Sequence, residues 1–150
     1  MKNLRAEQSL SRNLLTYQYG QKHTFSVLAL LYPTLDFRDK FHLDHIFAKS
    51  LFTKKNLSKI GVPEDKQDAF INECNVIVNL QLLEGVPNQQ KSNMNFNEWI
   101  VKTYPDLSKS KDYMEKHYIP NIDLKLTNSD NFIEQRRQLF ISQLTSILTV

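Results

Sequence analysis

His42-Leu43-Asp44-His45-Ile46-Phe47-Ala48-Lys49-Ser50 is the segment from which the rest of this chain can be interpreted. Two later segments answer it: Asn79-Leu80-Gln81-Leu82-Leu83, and then Asn88-Gln89-Gln90-Lys91-Ser92. An acid, an imidazole and two asparagines are thus spread over two apolar, strand-like runs and the start of a polar helix. Such a set suits one Mg²⁺ and a water activated against a phosphodiester. Neutral imidazole is the base that works near neutral pH, which singles out His45.

Working outward, residues 41–47 mix apolar and polar side chains as a strand with one functional face does. Asp44 and His45 are neighbours, so strand geometry sends them to opposite faces unless the strand ends in a twisted, irregular ribbon. Residues 51–60 and 63–73 read as two helices inserted before the second strand, with Gly61 as a stop and Pro63 in a first turn. Residues 75–83 are β-rich, Glu84-Gly85-Val86-Pro87 reads as a turn, and a helix begins near Asn88 with Phe96, Trp99 and Ile100 on its apolar face.

Toward the N-terminus, Leu10, Leu14 and Tyr17 fall at helical spacing, so residues 3–19 read as an amphipathic helix stopped by Gly20. Thr24 reads as the cap of a short apolar helix over 25–32, ended by Pro33. Toward the C-terminus, 107–117 reads as a helix, and a last one starts at Asn128 or Ser129 with a stripe of Phe132, Ile133, Phe140, Leu144, Ile147 and Leu148.

The expected fold class is therefore α+β, mainly helical. Residues 1–150 read as one domain, with N-terminal helices over about 1–35, a core over about 40–101 and C-terminal helices over about 105–150. The 150 residues suffice to bury a core without disulfides, and the single cysteine, Cys74, reads as a core or surface thiol. The longest apolar runs, 25–32 and 76–83, are too short to span a bilayer, and residues 1–5 lack a signal-peptide core, so no membrane is expected and the cytoplasm is. Net charge is only +3. Yet Lys49, Lys54, Lys55 and Lys59 follow the Asp44-His45 pair with no acid before Glu64, concentrating positive charge beside it.

These residues resemble the HNH, or ββα-metal, endonucleases, most closely the C-terminal nuclease domain of GmrSD-type modification-dependent restriction enzymes. In that family an Asp-His-Ile strand, an Asn-Leu-x-Leu-Leu strand and an Asn-x-x-Lys-Ser helix start recur in this order. The Arg136-Arg137 helix is likewise similar to the family's closing helix. The resemblance implies that Asp44 and Asn88 bind Mg²⁺ or Mn²⁺, His45 deprotonates water, Asn79 holds the imidazole in its useful tautomer, and Lys91 faces the phosphate. His42, two residues before the acid, would share its strand face and contact phosphate or the outer shell of the ion, the alternative being a plain surface histidine.

The implied partners are duplex DNA, including modified DNA, and a nucleotide-hydrolysing domain, N-terminal or separate, this chain then being the C-terminal part of a larger protein or a stand-alone relative. The implied activity is restriction of foreign DNA. Ala48 stands where the family usually has proline, Val78 where glycine often precedes the asparagine, and asparagine replaces histidine as the motif's third letter. Two rival readings stand beside this one: a non-catalytic nucleic-acid-binding or docking module of HNH-like fold, and an RNA-directed nuclease.

Overall fold

The computed structural model describes residues 4–149; Asn3, the expected first residue of the N-terminal helix, lies outside them. Helices α1 (Leu4–Leu14) and α2 (Thr24–Ala29) lead into strand β1 (Phe41–His45). A 3₁₀ turn at Lys49–Leu51, helix α3 (Lys54–Lys59) and helix α4 (Glu64–Glu73) form the insertion before strand β2 (Leu80–Glu84). Helices α5 (Gly85–Lys91), α6 (Phe96–Thr103), α7 (Leu107–Lys116) and α8 (Ser129–Leu148) follow. The molecule is α+β and mainly helical, with one two-stranded antiparallel sheet.

Local chemistry sets several helix ends. Thr53 accepts from the Asn56 amide (3.2 Å), Asn95 from Asn97 (3.0 Å) and Asp106 from Ser108 (2.8 Å), each satisfying an otherwise orphaned first-turn donor. Gly61, at φ 87°, ends α3 as expected, and Val62 N–H returns to the Leu57 carbonyl (2.9 Å). Tyr118 does the same after α7 at φ 55°, letting Ile119 N–H reach Met114 (2.8 Å).

Elsewhere tertiary hydrogen bonds override the pattern. Helix α1 ends at Leu14 rather than near residue 19, because the backbone around Gln18 pairs with Val76. Tyr19 N–H donates to Asn75 (2.8 Å) and Ile77 N–H to Tyr17 (3.1 Å). Gly20, at φ 87°, therefore turns the chain after this bridge instead of stopping a helix. Thr24 is no side-chain cap; its hydroxyl donates back to the Gln18 carbonyl.

The strands are shorter than expected, ending at His45 and beginning at Leu80. Residues 77–79 form a 3₁₀ turn closed by Asn79 N–H on the Val76 carbonyl (2.8 Å). The helix expected from Asn88 through Ile100 is two helices, broken at Ser92 by a positive φ of 41°.

β1 and β2 pair in the register His42↔Leu83, Asp44↔Gln81 and His45↔Leu80. α5 packs against both strands, α2 lies on β2, and the long α8 packs against α1 and the turn entering β2. Leu28, Ile46, Ile77, Val78, Leu80, Phe132 and Phe140 are fully buried between these layers. At roughly 1.5–3 kcal/mol for each large apolar side chain removed from water, this interior anchors the strand pair. Trp99 and Cys74 belong to it.

Candidate functional site

The strand ladder divides the site into two groups. Asp44 stands opposite Gln81, and paired residues share a face, which here lies under α5 and α7. The next residue, His45, points the other way, toward the Tyr19 and Asn75 bridge. Asp44 and His45 therefore lie on opposite faces of one short strand end.

On the His45 side, the imidazole Nε2 lies 3.0 Å from Asn75 Oδ1. A carboxamide oxygen only accepts, so Nε2 carries the proton and the lone pair resides on Nδ1. The Tyr19 ring packs against the imidazole at 4.6 Å between centroids. Burial lowers the His45 pKa below its ordinary 6.5; the Asn75 hydrogen bond and Asp44 charge oppose this, while Lys49 and Lys91 reinforce it. The imidazole is thus neutral at pH 7, the state a general base requires.

Asn79, expected to hold that imidazole, does not touch it. Its amide is fully buried: Oδ1 accepts from Phe47 N–H (3.0 Å), and Nδ2 donates to the carbonyls of Phe47 (3.1 Å) and Cys74 (2.8 Å). Asn79 clips the chain leaving β1 to the turn entering β2. The imidazole's hydrogen-bond partner is instead Asn75, which the motif does not reveal, because a lone asparagine outside the strand carries no sequence signal.

On the Asp44 side, Oδ2 accepts from Gln81 Nε2 (2.8 Å) and is ion-paired with Lys91 Nζ (3.0 Å). The same ammonium donates to the His45 carbonyl (2.6 Å) and is fully buried. Lys91 was expected to face phosphate; it is spent on the protein's own carboxylate and carbonyl. Burial pulls its pKa down while Asp44 pulls it back up. Gln81 was visible as a polar residue inside an apolar strand, but its partner became apparent only from the register. Its Oε1 accepts from the Tyr113 hydroxyl.

Asn88 lies in the middle of α5, not at a helix start, one turn before Lys91 on the same helix face. Its side chain makes no hydrogen bond to the described residues. It lines an open cleft of about 480 Å³ with Tyr19, Phe41, His42 and Leu43. His42 is exposed there, with Nε2 beside Gly85.

Among the expected basic residues, Lys49 and Lys55 are exposed and carry no ion pair, whereas Lys54 pairs at the surface with Asp68 (3.1 Å), an acid brought back by α4. Ala48 has φ −55°, the angle a proline ring imposes, so that substitution keeps the backbone path. Val78 sits in the 3₁₀ turn without a positive φ, so no glycine is needed there.

Among the described residues, no group of three or more His, Cys, Asp or Glu side chains is placed to hold a metal, and no helix is long and apolar enough to cross a membrane. Hard oxygen donors do exist in Asp44 Oδ1, which accepts no hydrogen bond, and the Asn88 amide. That chemistry fits Mg²⁺ or Mn²⁺ with most coordination left to water.

The strand pair is followed by a helix packed on both strands, with an imidazole and a carboxylate at one strand end. The chain belongs to the family of GmrSD restriction endonuclease C-terminal domains, whose model matches residues 3–142. Among curated proteins, no match was found.

Proposed function

We propose that this chain is a metal-dependent DNA endonuclease of HNH type, built on a ββα-metal core made of β1, β2 and α5, that cuts phosphodiesters in restriction of foreign or modified DNA. One observation carries the reading: His45 is neutral, its Nε2 proton fixed on Asn75 and its Nδ1 lone pair open, one residue from the Asp44 carboxylate. Asn75 holds the neutral ring in the tautomer with Nδ1 unprotonated, Nδ1 takes the proton of the attacking water, and Nε2 keeps donating to Asn75 as imidazolium forms. Asp44 Oδ1 and Asn88 would hold Mg²⁺ or Mn²⁺. When bound, that ion supplies Lewis acidity and charge neutralisation at the scissile phosphoryl group.

Lys49 lies close enough for its charge to be felt at His45, and with Lys55 and His42 it supplies the phosphate contacts expected beside the reacting bond. Such a site cuts one strand, so a double-strand break takes two domains or two visits. The partners are duplex DNA and a nucleotide-hydrolysing domain carried N-terminally or separately, and the setting is the cytoplasm.

A plasmid-nicking assay with Mg²⁺ or Mn²⁺, comparing parent and His45→Ala, tests this. Loss of at least about 10²-fold in rate is expected; equal nicking removes His45 from the mechanism.

One observation favours a second reading: Asp44 is already neutralised by Lys91. In that reading the chain is a nucleic-acid-binding module that binds with steep salt dependence and never cuts. An RNA-directed nuclease is separated from the DNA enzyme by competing single-stranded RNA against duplex DNA in one reaction.

A further inference from the structure

Two buried polar side chains lie behind Asp44, and apolar packing accounts for the polar atoms of neither. Gln81 is fully buried on β2, where period two and its neighbours Leu80, Leu82 and Leu83 would favour an aliphatic residue. Its amide spans a gap: Nε2 donates to Asp44 Oδ2 (2.8 Å) and Oε1 accepts from Tyr113 on α7. A carboxamide can turn end for end within the same volume. Turned, Gln81 would aim its oxygen at the Asp44 carboxylate and its NH₂ at the tyrosine oxygen. The Asp44 carboxylate only accepts, so it selects the orientation in which Gln81 presents its NH₂, and the Tyr113 hydroxyl, able to donate or accept, then donates to Oε1 and holds the far end of the amide.

We infer that Gln81 and Tyr113 are positioning residues that act in series to fix the Asp44 carboxylate, holding Oδ2 so that Oδ1 is the oxygen left for a divalent cation. The inference rests on the reading of Asp44 as a metal ligand. It extends the site to α7, a C-terminal helix outside the core expected over about 40–101. Tyr113 is itself fixed, stacked on His117 at 4.1 Å and 27° and flanked by Trp99 (5.4 Å) and Tyr104 (5.0 Å). His117 is in turn tied through Nδ1 to the Tyr32 hydroxyl (2.9 Å). The hydroxyl that holds the far end of the Gln81 amide therefore sits on a ring fixed in place. Lys91 completes the grip on Oδ2 from α5.

Tyr113→Phe removes the hydroxyl and keeps every ring contact; Gln81→Leu removes the amide and keeps the volume. Each is compared with the parent and Asp44→Asn by calorimetric titration with Mn²⁺ and by thermal unfolding without metal. Affinity for Mn²⁺ is expected to fall roughly 10- to 100-fold in Gln81→Leu and by a smaller factor in Tyr113→Phe, and to be lost in Asp44→Asn. The double variant should bind no worse than Gln81→Leu, because with the amide gone the hydroxyl has nothing to orient. A packing role would lower the unfolding temperature and leave metal affinity unmoved.

Parental affinity in both single variants, with affinity lost in Asp44→Asn, overturns the inference and spares the reading of Asp44. Parental affinity in Asp44→Asn overturns both.

Discussion

At the residue scale the proposed mechanism depends on one ring nitrogen. His45 is held below its ordinary pKa of 6.5 chiefly by burial, so protonation that silences Nδ1 sets in only at more acid pH than for a free imidazole. The single-turnover cleavage rate is therefore expected to climb with a midpoint below 6.5 and to be level by pH 7, measured from about pH 5 to about pH 8. A midpoint at or above 6.5 rejects His45 as the base in this setting.

Stability carries the same sign. The unfolded chain binds the His45 proton at 6.5 while the folded chain resists it, so acidification through that window favours unfolding, and His117, buried and held well below 6.5, adds to it. A motif names candidates, and contacts across a turn lie beyond it. Asp44, His45 and Asn88 are candidates from their motif, whereas the imidazole contact expected of Asn79 is made by Asn75. Both asparagines flank the same turn, and only its 3₁₀ winding decides which amide faces the imidazole and which is buried under Phe47.

At the element scale, α5 carries both Asn88 and Lys91, and its end is fixed by a strained residue. Ser92 holds φ 41° and ψ −117°, a backbone conformation that side chains with a Cβ rarely adopt and glycine takes readily. Strain of about 1–3 kcal/mol outweighs the roughly 0.5–1 kcal/mol of unfolded-state entropy that glycine adds. Ser92→Gly should therefore raise stability by about 1 kcal/mol, seen as a rise of about 2–4 °C in Tm. A fall in Tm means that the Ser92 side chain contributes more than its backbone costs.

The break was half visible in the sequence. Asn93, Asn95 and Asn97 marked a weak helix, but nothing local placed its end at Lys91 or its beginning at Gly85. Helices with strong caps or stripes, α7 and α8, were legible nearly to the residue. The strands and α1 were not, because the Gln18–Val76 bridge and the Asn79 clip are tertiary decisions that no window of sequence contains.

At the scale of the whole molecule, Arg136 ties the closing helix to the strand pair. Its guanidinium is fully buried without a carboxylate partner, donating to the carbonyls of Val78, Leu80 (2.8 Å) and His117 (2.9 Å) and resting 4.5 Å over the Phe140 ring. Burial pulls its pKa from 12.5 to about 10, so the group stays charged at neutral pH at a cost of about 3 kcal/mol. Arg136→Met removes that cost but strands three buried acceptors at about 1–3 kcal/mol each and forfeits a cation–π contact of about 1–2 kcal/mol. The losses outweigh the relief.

Arg136→Met is thus expected to be destabilised by at least about 2 kcal/mol in urea unfolding, with Arg136→Lys also destabilised because an ammonium lacks the planar fork that serves three carbonyls at once. The two carbonyls on either side of Asn79 are among those released, so cleavage should fall further than the folded fraction alone dictates. If Arg136→Met unfolds at the parental urea concentration and nicks DNA at the parental rate, α8 is a cover over the core and the geometry of the turn entering β2 is set without it.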